Sequence, residues 1–242
     1  MGAIIVKLEC VTNMHVGNGD VNYNIIDNEV ERDPVTGYPT INASGVKGAL
    51  REYFSKNCID NIDGIFGGEN AQGQVKILGA DMVAIPGRAT DGDVPFYLVT
   101  TNTAIKRVNE LGKLFIGKDI IELIQVDEIE VEGFKSKDGF EIHDKKVYEL
   151  TEGDFKEISL PVLARNKLNN GISENLWYEE VVPHESIFVF PAISENSGLL
   201  DKFKETINEK IIQFGGNASI GYGLCKVSII GEMGVQNEQS KG

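Results

Sequence analysis

The sequence predicts an α+β chain with a ferredoxin-like (RRM-like) βαββαβ core, carrying insertions and a β-hairpin. Three observations predict it. The opening run AIIVKLECVT alternates and is rich in β-branched residues, as a strand requires. Two amphipathic helical stretches follow, one after residue 44 and one after residue 198, with strand-like runs between them. A last apolar run, Leu224 to Ile230, supplies the closing strand. We expect one domain over residues 1–230, with insertions at about 15–43 and 113–157, a hairpin at about 160–182 and a polar tail at 231–242.

The bulk numbers narrow the function. With 23 Lys and Arg against 37 Asp and Glu, the formal charge of the 242 residues is −14. A protein that coats duplex DNA by bulk charge is excluded on that ground, whereas a local basic groove for RNA is not. The three cysteines, Cys10, Cys58 and Cys225, are widely spaced and form no CxxC, so we expect reduced thiols and no zinc site. With no secretory h-region and no long apolar run, a cytoplasmic protein that meets no membrane is expected.

After the first strand, residues 15–40 hold turn signals at Gly17, Gly19, Asp33-Pro34 and Thr36-Gly37. A loop of that length in a compact domain is usually a binding element. Within it, His15 lies beside a glycine turn and Asp27 follows two isoleucines. Ser44 reads as the N-cap of a helix whose apolar face is Val46, Ala49, Leu50, Tyr53 and Phe54. Lys47 and Arg51 lie on another face, four residues apart. The pair repels itself and opposes the macrodipole, so it suits a bound polyanion at the helix start better than an idle surface.

Strands are expected around 74–86 and 94–100, then a helix from Thr101 to Leu111 capped by Thr101 or Asn102. Residues 119–157 read as an acidic, peripheral region of short hairpins in which His143 is a surface residue. In the next segment, Asn169-Asn170-Gly171 is a hairpin turn signal flanked by Arg165 and Lys167 on one side and Leu176, Trp177 and Tyr178 on the other. Such a hairpin can lie on a nucleic-acid strand, or it can simply pack Trp177 on the body, and spacing alone leaves both open.

Leu199, Leu200, Phe203, Ile207, Ile211 and Phe214 predict a long amphipathic helix stopped by Gly215. The FGGNASIGYG that follows fails the dinucleotide fingerprint, because its glycines come after a helix rather than opening one. Small residues there permit close backbone approach instead. No RNP aromatic signature is present, so RNA binding on the open sheet face is not supported.

Taken together, HVGNG, IIDNEVERDPVTGYPTINASGVKGALR, IFGGENAQG, IPGRA, LPVLARNKLNNGISENLWYEEVVPHESIF and FGGNASIGYG resemble the RAMP superfamily of CRISPR proteins. Within it, LWYEEVVP is most similar to the backbone subunits of type III-B (Cmr) effector complexes. The resemblance implies a subunit that stacks head-to-tail with its copies along a guide CRISPR RNA, beside other Cmr subunits. It implies a thumb-like hairpin that kinks the guide–target duplex, and cleavage of single-stranded target RNA next to the kink. By position, Asp27 matches the cleaving aspartate, His15 a residue near the site, and Tyr178, Glu179 and Glu180 a segment that approaches it. Ser44, Lys47 and Arg51, together with Gly215, Gly216, Gly221 and Gly223, match guide-binding parts, and Arg165 and Lys167 lie on the thumb.

Chemistry gives these matches a role. In RNA cleavage by its own 2′-OH, the backbone must be held in line, so distortion of the duplex contributes to the rate. A carboxylate such as Asp27 can orient or deprotonate the 2′-OH, or hold a divalent ion (Mg or Mn) that stabilises developing charge. An imidazole such as that of His15 can shuttle a proton near neutrality. Asp27 as a turn cap, His15 as a structural residue and Glu179 and Glu180 as hairpin charges are the plainer readings. Two other hypotheses stand beside cleavage: a structural RNA-binding backbone without activity, and a small-molecule enzyme built on the glycine loops.

Overall fold

The computed structural model describes residues 1–234 apart from 18, 20–24, 70, 91–93 and 171. Parts of the expected 15–43 insertion, Gly171 of the hairpin turn and most of the expected tail therefore lie outside the described residues.

The elements that position the site are β1 (Gly2–Cys10), α1 (Ala43–Lys56), α2 (Ile62–Phe66), β2 (Ala80–Arg88), β3 (Phe96–Thr101), α3 (Asn102–Ile116), β4 (Ile121–Ile124), β5 (Gly139–Ile142), β6 (Lys145–Leu150), α4 (Glu152–Glu157), β7 (Val162–Asn169), β8 (Ile172–Glu180), β9 (Ile187–Ser194), α5 (Ser197–Ile207), β10 (Lys210–Gln213) and β11 (Leu224–Met233). Their sheet runs β10-β11-β1-β9-β2-β3-β6-β5-β4, and two short strands pair off its path. Neighbours are antiparallel except β3 and β6, which are parallel at Tyr148 and Val99. The sheet is therefore mixed, in an α+β fold.

β1 is buried on both sides, and its period of two divides the core. Ile4, Val6, Leu8 and Cys10 face a cluster with Val46, Leu50 and Phe54 of α1, Phe66 of α2 and Phe203 of α5. Ala3 and Ile5 face the other side, with Ile105 and Val108 of α3 and Val189 of β9. α3 therefore lies across the second face, which closes the surface an RRM would offer to RNA bases.

The second face also holds Lys7, only 1% exposed, whose ammonium pairs with Glu9 and with Asp144 at the tip of the β5–β6 hairpin. This contact and the β3–β6 pairing correct the sequence expectation for residues 113–157. The acidic stretch is not peripheral, because β6 extends the main sheet and its hairpin docks on β1. His143 is half exposed at that tip, as a surface histidine should be.

Three local expectations also change. Ser44 is not the N-cap: α1 starts at Ala43 after Asn42, whose side chain is taken by Glu31 and caps nothing. The late helix ends at Ile207 rather than at Phe214, because Asn208 is extended and Glu209 left-handed. Ile211 and Ile212 then alternate exposed and buried along edge strand β10, so a helical spacing conceals a strand. Gly215 accordingly terminates no helix. By contrast, Thr101 caps α3 by accepting the N–H of Ala104, as expected. Cys10 and Cys225 are buried opposite each other on β1 and β11 as free thiols, with the Cys225 thiol donating to the Cys10 sulfur at 3.9 Å.

β7 and β8 form a separate two-stranded sheet within the expected hairpin range. No helix of the described residues is long and apolar enough to cross a membrane.

Candidate nucleic-acid interface

Four segments that are remote in sequence meet at the base of the β7–β8 hairpin. The first is the chain leaving β1. Met14 pairs with Val182 through both backbone groups, and His15 is carried inward until it is 9% exposed. Its Nδ1 lies 2.8 Å from the Glu180 carbonyl, which can only accept, so Nδ1 carries the hydrogen. Nε2 then faces Glu179 Oε1 at 4.0 Å.

The second segment is the loop around Asp27. The Asp27 N–H donates to the Tyr178 carbonyl at 3.1 Å, and Asp27 Oδ2 accepts the Tyr178 N–H at 2.8 Å. The carboxylate is exposed, and so is the Tyr178 side chain. Farther along, Arg32 pairs with Glu180, whose other oxygen accepts the Val30 N–H at 3.1 Å. Tyr38 anchors the end of the loop through its hydroxyl, which contacts Thr101 and Glu152; burial and Glu152 push its phenol up to about 12.

The third segment is the hairpin base itself. Glu179 and Glu180 are 4% and 6% exposed, so both carboxylates are interior groups. Glu179 accepts from Arg165 at 2.9 Å. Arg165 is therefore not an open cation, whereas Lys167 farther out is exposed beside Glu174.

The fourth is the glycine loop between β10 and β11. Gly216 N–H donates to the His15 carbonyl and Gly223 N–H to the Asn13 carbonyl, each at 2.8 Å. Gly215 and Gly223 are left-handed, and a methyl group on either would fall 2.3 Å from the His15 oxygen or 1.8 Å from the Phe214 oxygen. Asn217 reaches Glu179 Oε1 at 2.8 Å.

Lys47 and Arg51 line a separate open groove with Gly67, Gly68 and Gln72. Lys47 is exposed and makes no ion pair among the described residues, but Arg51 is held by the Gly67 carbonyl and by Asp63. Ser44 is exposed on the same helix. Among the described residues, no three His, Cys, Asp or Glu side chains gather as metal ligands.

The structure thus brings His15, Asp27, Tyr178, Glu179, Arg165 and the glycine loop together, and leaves Ser44, Lys47 and Arg51 on α1. Sequence reading missed Arg32, Asn217 and Tyr222 as parts of the site. Arg32 looked like part of a turn, and the other two are unremarkable polar residues within a glycine motif.

Residues 7–226 match the family model of the RAMP superfamily. The chain belongs to the RAMP superfamily. It is 26% identical to the CRISPR system Cmr endoribonuclease Cmr4 of Pyrococcus furiosus, over 95% of this chain and 96% of that protein. The RAMP fold is similar to a chain of the type III-B Cmr-beta cryo-EM structure in the apo state, with TM-score 0.79, 23% identity, and 94% and 97% of the two chains covered. It is also similar to oligomeric Cmr4 from Pyrococcus furiosus, with TM-score 0.70, 20% identity, and 96% and 99% covered.

Proposed function

We propose that this RAMP protein is a backbone subunit of a type III-B (Cmr) RNA-guided effector complex, which binds guide CRISPR RNA and cleaves target RNA beside its hairpin. The strand order β11-β1-β9-β2, with α1 and α5 as the two crossovers, is the ferredoxin-like core that this reading assigns to it. The observation that carries the reading is Asp27: an exposed carboxylate fixed to the base of a projecting two-stranded hairpin by the Tyr178 backbone.

The chemistry follows from that placement. A hairpin wedged into a guide–target duplex unstacks bases and bends the target backbone. Bending brings a 2′-OH into line with its own phosphate, and Asp27 Oδ1 remains to accept that hydroxyl's hydrogen while Oδ2 holds the backbone. The new O–P bond forms as the P–O5′ bond breaks, and the leaving O5′ takes a proton from solvent water, which leaves a 2′,3′-cyclic phosphate and a 5′-hydroxyl, with the 2′-OH proton on Asp27. His15 and Glu179 are interior, so in this reading they fix the loop and hairpin rather than touch the target. The described residues do not build a protein metal site, and a divalent ion at Asp27 would take its remaining ligands from RNA and water.

Lys47 is assigned to guide phosphates, and the glycine loop, whose Gly216, Gly221 and Gly223 N–H groups are taken by carbonyls of the chain, to close approach of the guide backbone. A head-to-tail contact between copies completes the filament. A second reading, an RNA-binding backbone without cleavage, draws on the same Asp27–Tyr178 bond, since a carboxylate used as an anchor needs no further task. Target cleavage by a reconstituted complex carrying an Asp27 variant separates the two.

A further inference from the structure

The glycine loop grips the hairpin base with side chains at two points. Asn217, left-handed at φ 60°, donates its amide to Glu179 Oε1 at 2.8 Å. Glu179 Oε2 accepts Arg165 Nη1 at 2.9 Å. The Arg165 guanidinium lies 5.7 Å from the ring of Trp177 on the opposite strand and 5.6 Å from the ring of Tyr222, which returns from the glycine loop. The loop therefore reaches both members of the Glu179–Arg165 pair. The Glu179 side chain is 5% exposed, so it needs both donors in place: a buried carboxylate stripped of a partner is costly.

The neighbouring residue, Tyr178, is the one whose backbone holds Asp27. Loop, hairpin and exposed aspartate are thus joined in a short series: Asn217, Glu179, Tyr178, Asp27. A left-handed position alone would be served by glycine, which has no side-chain donor for Glu179, whereas the Asn217 amide supplies one.

We propose that Asn217 is a positioning residue which sets the hairpin base, and through it Asp27, from the guide-binding glycine loop. This deepens the RNA-binding reading above and rests on it. RNA seated on the loop fixes Asn217 and Tyr222, and these fix Arg165 and Glu179. Occupancy of the guide site thereby orders the target site.

Trp177 is the single tryptophan of the chain, so its emission reports on Arg165 and the hairpin base. The experiment titrates the full chain with a labelled single-stranded RNA, follows binding by polarisation of the label, and reads the Trp177 emission change at saturation, where a loss of affinity does not enter. The wild type is expected to show a change. Asn217→Asp sets a second carboxylate against Glu179 and is expected to lose it. Asn217→Asp with Glu179→Gln reverses the amide and carboxylate while keeping the net charge, and is expected to restore it. A wild type that binds RNA without a Trp177 change, an Asn217→Asp response equal to wild type, or a double variant no better than Asn217→Asp each overturns the coupling and leaves the RNA reading standing. A wild type that binds no RNA removes the RNA reading and the coupling with it.

Discussion

Arg32 closes over Glu180 from the loop that carries Asp27, and the pair ties that loop to the hairpin. The Glu180 side chain is 8% exposed and that of Arg32 40%, so cutting the pair strands a nearly buried charge. Arg32→Ala is expected to lower stability by about 2–3 kcal/mol, below the cost of breaking a fully buried pair because the Arg32 side chain is 40% exposed. Denaturant unfolding checks this. Glu180→Gln keeps an oxygen for only one of its two donors, the Val30 N–H or Arg32, and turns an NH2 toward the other, so it should destabilise as well.

Alanine substitutions in the glycine loop should fall in a defined order. Gly223 and Gly215 combine a left-handed backbone with a backbone oxygen where a methyl would stand, whereas Gly221 is left-handed over open space and Gly216 has neither constraint. Gly221→Ala should therefore cost about 1–2 kcal/mol, Gly215→Ala and Gly223→Ala more than that, and Gly216→Ala close to nothing. Thermal unfolding of the four variants gives the order, and RNA affinity should follow it.

Lys47 and Arg51 line one groove but differ in what holds them. Lys47 is the exposed one, and Arg51 ties α1 to Asp63 and the Gly67 carbonyl. Lys47→Ala should weaken RNA binding with little effect on melting and reduce the salt slope of log K by about 1. Arg51→Ala should lower the melting temperature as well. Binding titrations over a salt series, with melting curves, separate the two.

Acid stability should depend on Asp144. The Lys7 ammonium holds its carboxyl far below the ordinary value of 3.8. A carboxyl depressed in the folded state contributes above its unfolded pKa, and the contribution is lost as the pH falls through the folded one. Asp144→Asn should therefore be less stable than wild type at neutral pH, and the gap should shrink as the pH falls below about 4. Unfolding midpoints from pH 7 downwards check the sign.

Much of the core was legible because burial imposes a period. β1, the apolar face of α1 and the Thr101 cap of α3 follow directly from residue spacing. The end of α5 was not legible, since Ile211 and Phe214 continue a helical spacing that Glu209 breaks with a left-handed backbone. Ser44 reads as the cap because residue type alone marks caps, whereas the helix opens after Asn42, whose side chain is held by Glu31 and caps nothing. In the site, the residues carried by motifs were found, but their exposure was not. Glu179 faces Asn217 across the fold, and only packing reveals that its carboxylate is interior.

The most direct test of the account is Asp27→Asn in a reconstituted complex. Asparagine keeps an oxygen to accept the Tyr178 N–H, so the loop stays anchored and only the charge is removed. With guide RNA assembled and labelled target added, periodic target cleavage should fall by about 100-fold or more, the scale of a lost general base. Cleavage continuing at the wild-type rate on an assembled complex would contradict the assignment of Asp27.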